Sequence, residues 1–204
     1  MGRVKYATRN ILFGYVSNII TLLLNAGLRY VFIMRLDETL LGINSTYTNI
    51  LSVLSLAELG VGTAINFSLY APVARHDKEK IKAYMQFYKK AYRMIAIVVA
   101  AVGLILVPFL KYIIKDPVGI DSNQDLINFY LIFLFNTVSS YFVAYKYSLP
   151  NAEQKNYIQS NVITITKIVT TVVQIIVILA TSSFYGYLIS ASVIELAQKI
   201  FANI

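Results

Sequence analysis

The chain has 204 residues, of which 57% are hydrophobic and only 14% are charged, and its mean hydropathy is +0.63. Soluble domains carry about a quarter of charged residues, so this composition excludes an ordinary soluble protein and predicts an all-α integral membrane protein. The chain contains no cysteine, which excludes thiolate metal ligands and thiol catalysis.

Six apolar segments are each long enough to cross a bilayer core, which takes roughly 20 residues of helix. They lie at about 11–34, 39–70, 91–114, 126–149, 157–181 and 184–204. Short loops join them, apart from a charged connection at 71–90. We therefore predict a bundle of six transmembrane helices that leaves no room for a soluble domain.

Lysine and arginine are unevenly divided among the connections. Most of the 18 fall in the N-terminal segment, in the region 71–93, in the loop after the fourth apolar segment and near the end. Because cytoplasmic loops accumulate these residues, both termini are predicted to face the cytoplasm. We interpret the net charge of +8 as this asymmetry together with attraction to anionic membrane lipids, in preference to nucleic-acid binding.

The first apolar segment has a polar stripe. Gly14, Asn18, Thr21, Asn25 and Arg29 recur at steps of three or four residues, which places them on one face of a helix. The stripe ends in a cation, so this face is not expected to contact lipid.

The fifth segment repeats this arrangement, with Lys167 near the middle of its stripe and Gln174 at the end. A charge at the bilayer centre costs about 2.5 to 3.5 kcal/mol, and a water-filled cavity between the helices would offset that cost. We favour such a cavity, with Arg29 and Lys167 suited to an anionic solute. The alternative is a purely structural pairing of Glu58 with one of these cations.

The second segment is about 32 residues long, roughly 48 Å as a straight helix, which exceeds the bilayer thickness. Its polar residues also share one face, and Glu58 lies at the edge of that face. Gly60 and Gly62 are natural positions for a bend towards a cavity, although glycines here are equally compatible with close helix packing.

The connection at about 76–92 has apolar residues at helical spacing and lysines mostly elsewhere. Ile81, Met85, Tyr88 and Tyr92 share one side, and Asp77 is a plausible N-cap. We predict a basic amphipathic helix that lies along the cytoplasmic interface.

Two stretches carry a family resemblance: 41-LGINSTYTNILSVLSLAELGVGTAINFSLYAPVARHDKEKIKAYMQFYKKAYR-93 and 148-SLPNAEQKNYI-158. They resemble the bacterial polysaccharide-export flippases of the MOP (multidrug, oligosaccharidyl-lipid, polysaccharide) exporter superfamily. The resemblance implies a multi-pass transporter of the bacterial cytoplasmic membrane, with no cofactor and no enzymatic activity. Its implied substrate is an undecaprenyl-pyrophosphate-linked oligosaccharide for capsule, O-antigen or exopolysaccharide assembly.

The same resemblance implies two lobes around a central cationic cavity that works by alternating access. By position, the first two helices would line it, here with Asn25, Arg29 and Glu58. Six helices correspond to the N-terminal lobe only, so we expect the C-terminal lobe to be missing; the alternative is that two copies pair.

Three other functions are weighed against a flippase. One is a cation-coupled drug or metabolite exporter of the same superfamily. A glycan polymerase or ligase is less compatible with the short external connections, which lack histidine. A non-transporting membrane scaffold is the fourth possibility.

Overall fold

The computed structural model describes residues 2–114 and 123–201, and within them every side chain except those of 2–7, 57, 59–61 and 65. All regular structure in these ranges is helical. The α-helices are α1 Gly2–Arg35, α2 Glu38–Ser55, α3 Leu59–Ala74, α4 Lys78–Leu106, α5 Leu110–Ile113, α6 Asn123–Ala144, α7 Ser148–Ala152, α8 Asn156–Thr181 and α9 Phe184–Phe201. Short 3-10 turns at Leu56–Glu58, Val107–Phe109 and Tyr145–Tyr147 connect α2 to α3, α4 to α5 and α6 to α7.

Four helical stretches are long and apolar enough to cross a membrane. They are Thr8–Arg35, Lys78–Ile113, Asn123–Ala152 and Asn156–Thr181, which match the first, third, fourth and fifth predicted segments. The second and sixth predicted segments are not among them. The all-helical prediction is thus confirmed for the described residues, and residues 202–204 of the sixth segment lie outside them.

The second predicted segment is interrupted by a 3-10 turn at Leu56–Glu58. Gly60 and Gly62 follow it in the first turn of α3, so the interruption lies just before the predicted bend. A Cβ added at Gly62 would lie 3.3 Å from the hydroxyl of Tyr92, so this glycine allows α3 to approach α4 closely.

The basic amphipathic segment is continuous with the third span, because α4 begins at Lys78 and runs without a break to Leu106. Asp77 is its N-cap and accepts a 3.1 Å hydrogen bond from the backbone N–H of Lys80. That bond lowers the pKa of the Asp77 carboxyl, because it stabilises the ionised form. Tyr88 and Tyr92 are buried against the bundle, while the lysines of this segment are exposed.

Each long helical stretch, with α2 and α3 counted as one, runs opposite to the next, as the contacts of Tyr47 with Leu126, of Gly62 with Tyr92 and of Gly103 with Tyr130 show. The bundle therefore has two ends. The upper end, as named here, holds the α1–α2 connection and the α8–α9 turn; the lower end holds the α3–α4 turn and the α7–α8 connection. Helix α1 packs along α8, α8 along α9, and α9 along α6. Helix α6 in turn contacts α4 and α2, and α3 packs against α4 and α7.

Two apolar clusters hold the bundle together, one towards each end. The upper cluster is rich in aromatic rings: Phe129 and Phe184 lie 4.6 Å apart in an edge-to-face pair, and Phe32 packs beside them. The lower cluster contains Tyr92 and Tyr141, stacked with their centroids 6.4 Å apart. Edge-to-face and offset-stacked aromatic pairs add stability beyond the area that they bury, so the rings reinforce the packing at both ends.

Helices α4 and α6 meet closely at Gly103. Tyr130, fully buried, donates a 3.0 Å hydrogen bond to the Gly103 carbonyl, and the Leu134 side chain occupies the space that a Cβ at residue 103 would need. Only glycine fits this position without displacing Leu134.

Replacing Gly103 with alanine should therefore destabilise the protein by about 1 to 3 kcal/mol through overpacking. Gly42→Ala is a matched control: Gly42 is also inside a helix, but a Cβ there meets nothing within 4 Å. That substitution should be neutral or stabilising, since alanine is the better helix former. Thermal unfolding in detergent measures both, and equal shifts in the melting temperature would contradict the close approach.

Candidate ligand-binding cleft

A polar cleft of about 710 Å³ opens among α2, α6, α8 and α9. This volume is in the range of small-molecule sites. Its charged lining residues are Lys167, Glu195 and Lys199, and the polar ones include Asn44, Thr48, Ser55, Asn136, Thr137, Ser140, Thr166, Thr170, Gln174 and Gln198. The cleft therefore places polar side chains of four helices inside a bundle whose outer surface is largely apolar.

Lys199 is buried, with 8% of its surface exposed. Its ammonium donates hydrogen bonds to the Asn136 carbonyl at 3.0 Å and to the Ser139 hydroxyl at 2.8 Å, and it lies 3.7 Å from a carboxylate oxygen of Glu195. Two hydrogen bonds and one ion pair therefore surround this ammonium. Lys199 thus ties α9 to α6 as well as lining the cleft.

Lys167 is half-buried on the α8 side of the cleft. Within the described part of the chain it has no carboxylate within 4 Å and no hydrogen-bond partner. Its nearest electrostatic partner is Glu195, which therefore faces two lysines. Two ammonium groups against one carboxylate leave the cleft with one positive charge in excess.

Two buried polar atoms of the cleft residues have no hydrogen-bond partner. These are the Thr170 hydroxyl, on a residue only 6% exposed, and the side-chain oxygen of Asn136. The Asn136 amide donates to the Ser192 hydroxyl at 2.9 Å, so only its acceptor is unsatisfied. Such groups are costly to bury alone, and a bound molecule or water would satisfy them.

Glu58 lies in a second cleft of about 330 Å³, with Asn66 and Tyr92. This cleft shares Ser140, Gln198 and Lys199 with the larger one, so the two are neighbours. Glu58 interacts with Tyr92, and no ion pair within 4 Å joins it to Arg29 or Lys167. The ion pair of Glu58 with Arg29 or Lys167, which the sequence left open as an alternative, is therefore not formed among the described residues.

The polar stripe of α1 lies on the outer surface. Asn18, Asn25 and Arg29 are exposed, and none of them lines the clefts described above. The packing face of α1 is the neighbouring one, where Leu28 and Phe32 are buried. Arg29 and Lys167 thus do not share a cavity within this bundle.

Part of the stripe on α8 has a structural role. Thr164 hydrogen-bonds to Ser17 of α1 at 2.7 Å, and the Gln174 amide donates to the Tyr187 carbonyl of α9 at 3.3 Å. These contacts position α8 between α1 and α9, so that Lys167 and Thr170 line the cleft. Gln174 both lines the cleft and fixes its wall.

Sequence reasoning identified Lys167 and Gln174 but missed Glu195 and Lys199, which provide the other charges of the cleft. The available signal was the spacing of Ser192, Glu195 and Lys199 at steps of three and four, which places them on one helical face. Lys199 was counted as a basic residue of a cytoplasmic terminus, although its ammonium contacts α6.

The chemistry of the cleft favours binding. The described residues contain no group of three or more histidine or carboxylate side chains that could hold a metal ion. What the cleft offers is one uncompensated ammonium with a hydroxyl donor and an amide acceptor nearby. This combination suits a solute that carries a negative charge and hydroxyl groups.

No protein-family model matches the chain, and no curated protein or solved structure matches it either.

Water access to the cleft can be measured with single cysteines, because the chain has none of its own. Thr166 lines the cleft, whereas its neighbour Ile165 is 62% exposed on the outer, apolar surface. In membranes, a charged water-soluble thiol reagent should modify Thr166→Cys but not Ile165→Cys. Lipid around residue 165 disfavours ionisation of the thiol to the reactive thiolate, and it also excludes the charged reagent. Equal labelling of the two would contradict a hydrated cleft.

Proposed function

We propose that this chain is the N-terminal lobe of a lipid-linked oligosaccharide flippase in a bacterial cytoplasmic membrane. In this proposal all six predicted segments span the bilayer, α2 and α3 together and α9 included, and both termini are cytoplasmic. The transported substrate is an anionic oligosaccharide on an undecaprenyl pyrophosphate carrier.

The observation that carries the proposal is the cleft containing Lys167 within a bundle of apolar helices. A lysine far from the helix ends is costly in a membrane unless it faces water or a ligand, so intramembrane cations commonly mark a substrate pathway. The family resemblance of residues 41–93 then favours a glycan-lipid substrate over other anions.

The exposed stripe of α1 gives a second, independent support. Asn18, Asn25 and Arg29 are exposed on a helix that is otherwise apolar enough to span a membrane. Polar groups are unfavourable against lipid, so this face is expected to border an aqueous cavity. We propose that the C-terminal lobe, or a second copy of the chain, encloses that cavity opposite α1.

The start of α4 is proposed to contact anionic lipid headgroups. Its lysines are exposed, whereas Tyr88 and Tyr92 pack inwards. Because α4 begins at the α3–α4 turn, these basic side chains lie at the lower end of the bundle. Each basic residue near an anionic membrane surface contributes about 1 kcal/mol. This arrangement supports the proposal that the lower end faces the cytoplasm.

Glycan export in a flippase-deficient bacterium tests the proposal. The protein, expressed in the longest form that its gene encodes, should restore surface glycan. Both Lys167→Met and Arg29→Ala should reduce export by at least about tenfold, because each removes a cation from a proposed translocation surface.

The matched control is Lys111→Met, which removes a lysine at the upper end, outside the clefts described above. It should export like the wild type at equal expression. Absence of any restoration, or wild-type export by the Lys167→Met variant, would sink the flippase proposal.

A further inference from the structure

Glu195 faces two lysines inside the cleft, an arrangement that the proposed transport function does not by itself explain. Lys199 is already satisfied by the Asn136 carbonyl and the Ser139 hydroxyl, and it needs only one further acceptor. Lys167, by contrast, has no partner within 4 Å in the described residues. The single carboxylate is thus held by Lys199 and compensates Lys167 only at longer range.

The groups that face Glu195 define the charge of the site. Helix α8 contributes Lys167, and α9 contributes Lys199 and the hydroxyl group of Tyr187. Helices α2 and α6 contribute only uncharged side chains to the lining. A ligand that enters the cleft therefore meets one excess positive charge, partly screened by Glu195.

The uncharged polar groups near Lys167 set a second requirement for the ligand. Thr170 lies one helical turn from Lys167 on the same face of α8, and its buried hydroxyl has no partner. Asn136, across the cleft on α6, has an unsatisfied acceptor oxygen. A simple inorganic anion that only accepts hydrogen bonds would leave Asn136 unsatisfied, whereas a ligand with hydroxyl groups can donate to it.

We propose that the cleft binds an acidic sugar residue, and that Glu195 competes with the sugar carboxylate for Lys167. The sugar carboxylate pairs with Lys167, and its hydroxyl groups satisfy Asn136 and Thr170. Glu195 is an internal counter-ion: it compensates one of the two ammonium groups when the ligand is absent and weakens binding when the ligand is present. This inference rests on the proposed function for its biological meaning, but its test does not require transport.

Binding of D-glucuronate to the full chain in nanodiscs, measured by calorimetry at constant ionic strength, tests the proposal. D-glucose is the neutral analogue, and inorganic pyrophosphate represents the carrier group. Glucuronate should bind more tightly than either. Tighter binding of pyrophosphate would overturn the assignment to a sugar, and equal binding of glucose would overturn the role of the carboxylate.

Two substitutions separate the roles of the charged residues. Glu195→Gln keeps the shape but removes the competing charge, so glucuronate should bind about tenfold more tightly. Lys167→Met should abolish detectable binding, and Lys167→Arg should retain it. Unchanged or weaker binding to Glu195→Gln, or undiminished binding to Lys167→Met, would overturn the proposal.

The controls address folding and function separately. Lys111→Met should bind like the wild type, and thermal unfolding should show that each variant is folded. If Glu195→Gln does not fold, the comparison of Lys167→Met with Lys167→Arg, at a half-buried position, decides the matter. Failure to restore glycan export with intact glucuronate binding would reject the flippase and not this site; export without binding would reject this site and not the flippase.

Discussion

The bundle has to accommodate two lysine ammonium groups, Lys167 and Lys199, among helices whose outer surface is largely apolar. Lys199 is accommodated by three oxygens, two from α6 and one from Glu195. Lys167 has no such shell, and Glu195 is too far away to form a direct ion pair with it. An isolated charge away from water is among the most unfavourable arrangements in a membrane, so the cleft beside Lys167 has to remain open to water or to a ligand.

The rest of the structure is consistent with keeping that cleft open. The aromatic cluster at the upper end and the tyrosine cluster at the lower end pack the helices tightly on both sides of it. Between them, small and polar residues on α2, α6 and α8 line an open volume. An open cleft between two packed ends requires rigid helices. The close approach of α4 and α6 at Gly103 is one contact that holds two helices in place.

The pattern of the sequence was sufficient to predict the all-helical class and four of the spans. The length of an apolar segment and the spacing of its polar residues are local properties, which the sequence shows directly. It also placed Lys167 and Gln174 on one face of α8. It did not reveal which helix that face meets, so Arg29 was assigned to the same cavity although the structure exposes it on another surface. Glu195 and Lys199 were missed because their significance depends on the packing of α9 against α6, which no local pattern specifies.

Two features of the second segment show the same limit. Its length predicted a bend or other irregularity, and Gly60 and Gly62 suggested where this would lie. The structure has a 3-10 turn at Leu56–Glu58, immediately before these glycines. Pairing of Glu58 with Arg29 or Lys167 was one alternative in the sequence, whereas in the structure Glu58 interacts with Tyr92 in a neighbouring cleft. Helix irregularities can be anticipated from composition, but charge partners depend on the tertiary arrangement.

The most direct test of this account is the chemical reactivity of Lys167 in the intact chain in nanodiscs. A charged, water-soluble amine-acylating reagent, followed by site-resolved mass spectrometry, measures the hydration of each lysine. Lys167 should be acylated, the buried Lys199 should be largely protected, and glucuronate should slow the acylation of Lys167. An unreactive Lys167, or a reactivity equal to that of Lys199 and unaffected by glucuronate, would contradict this account.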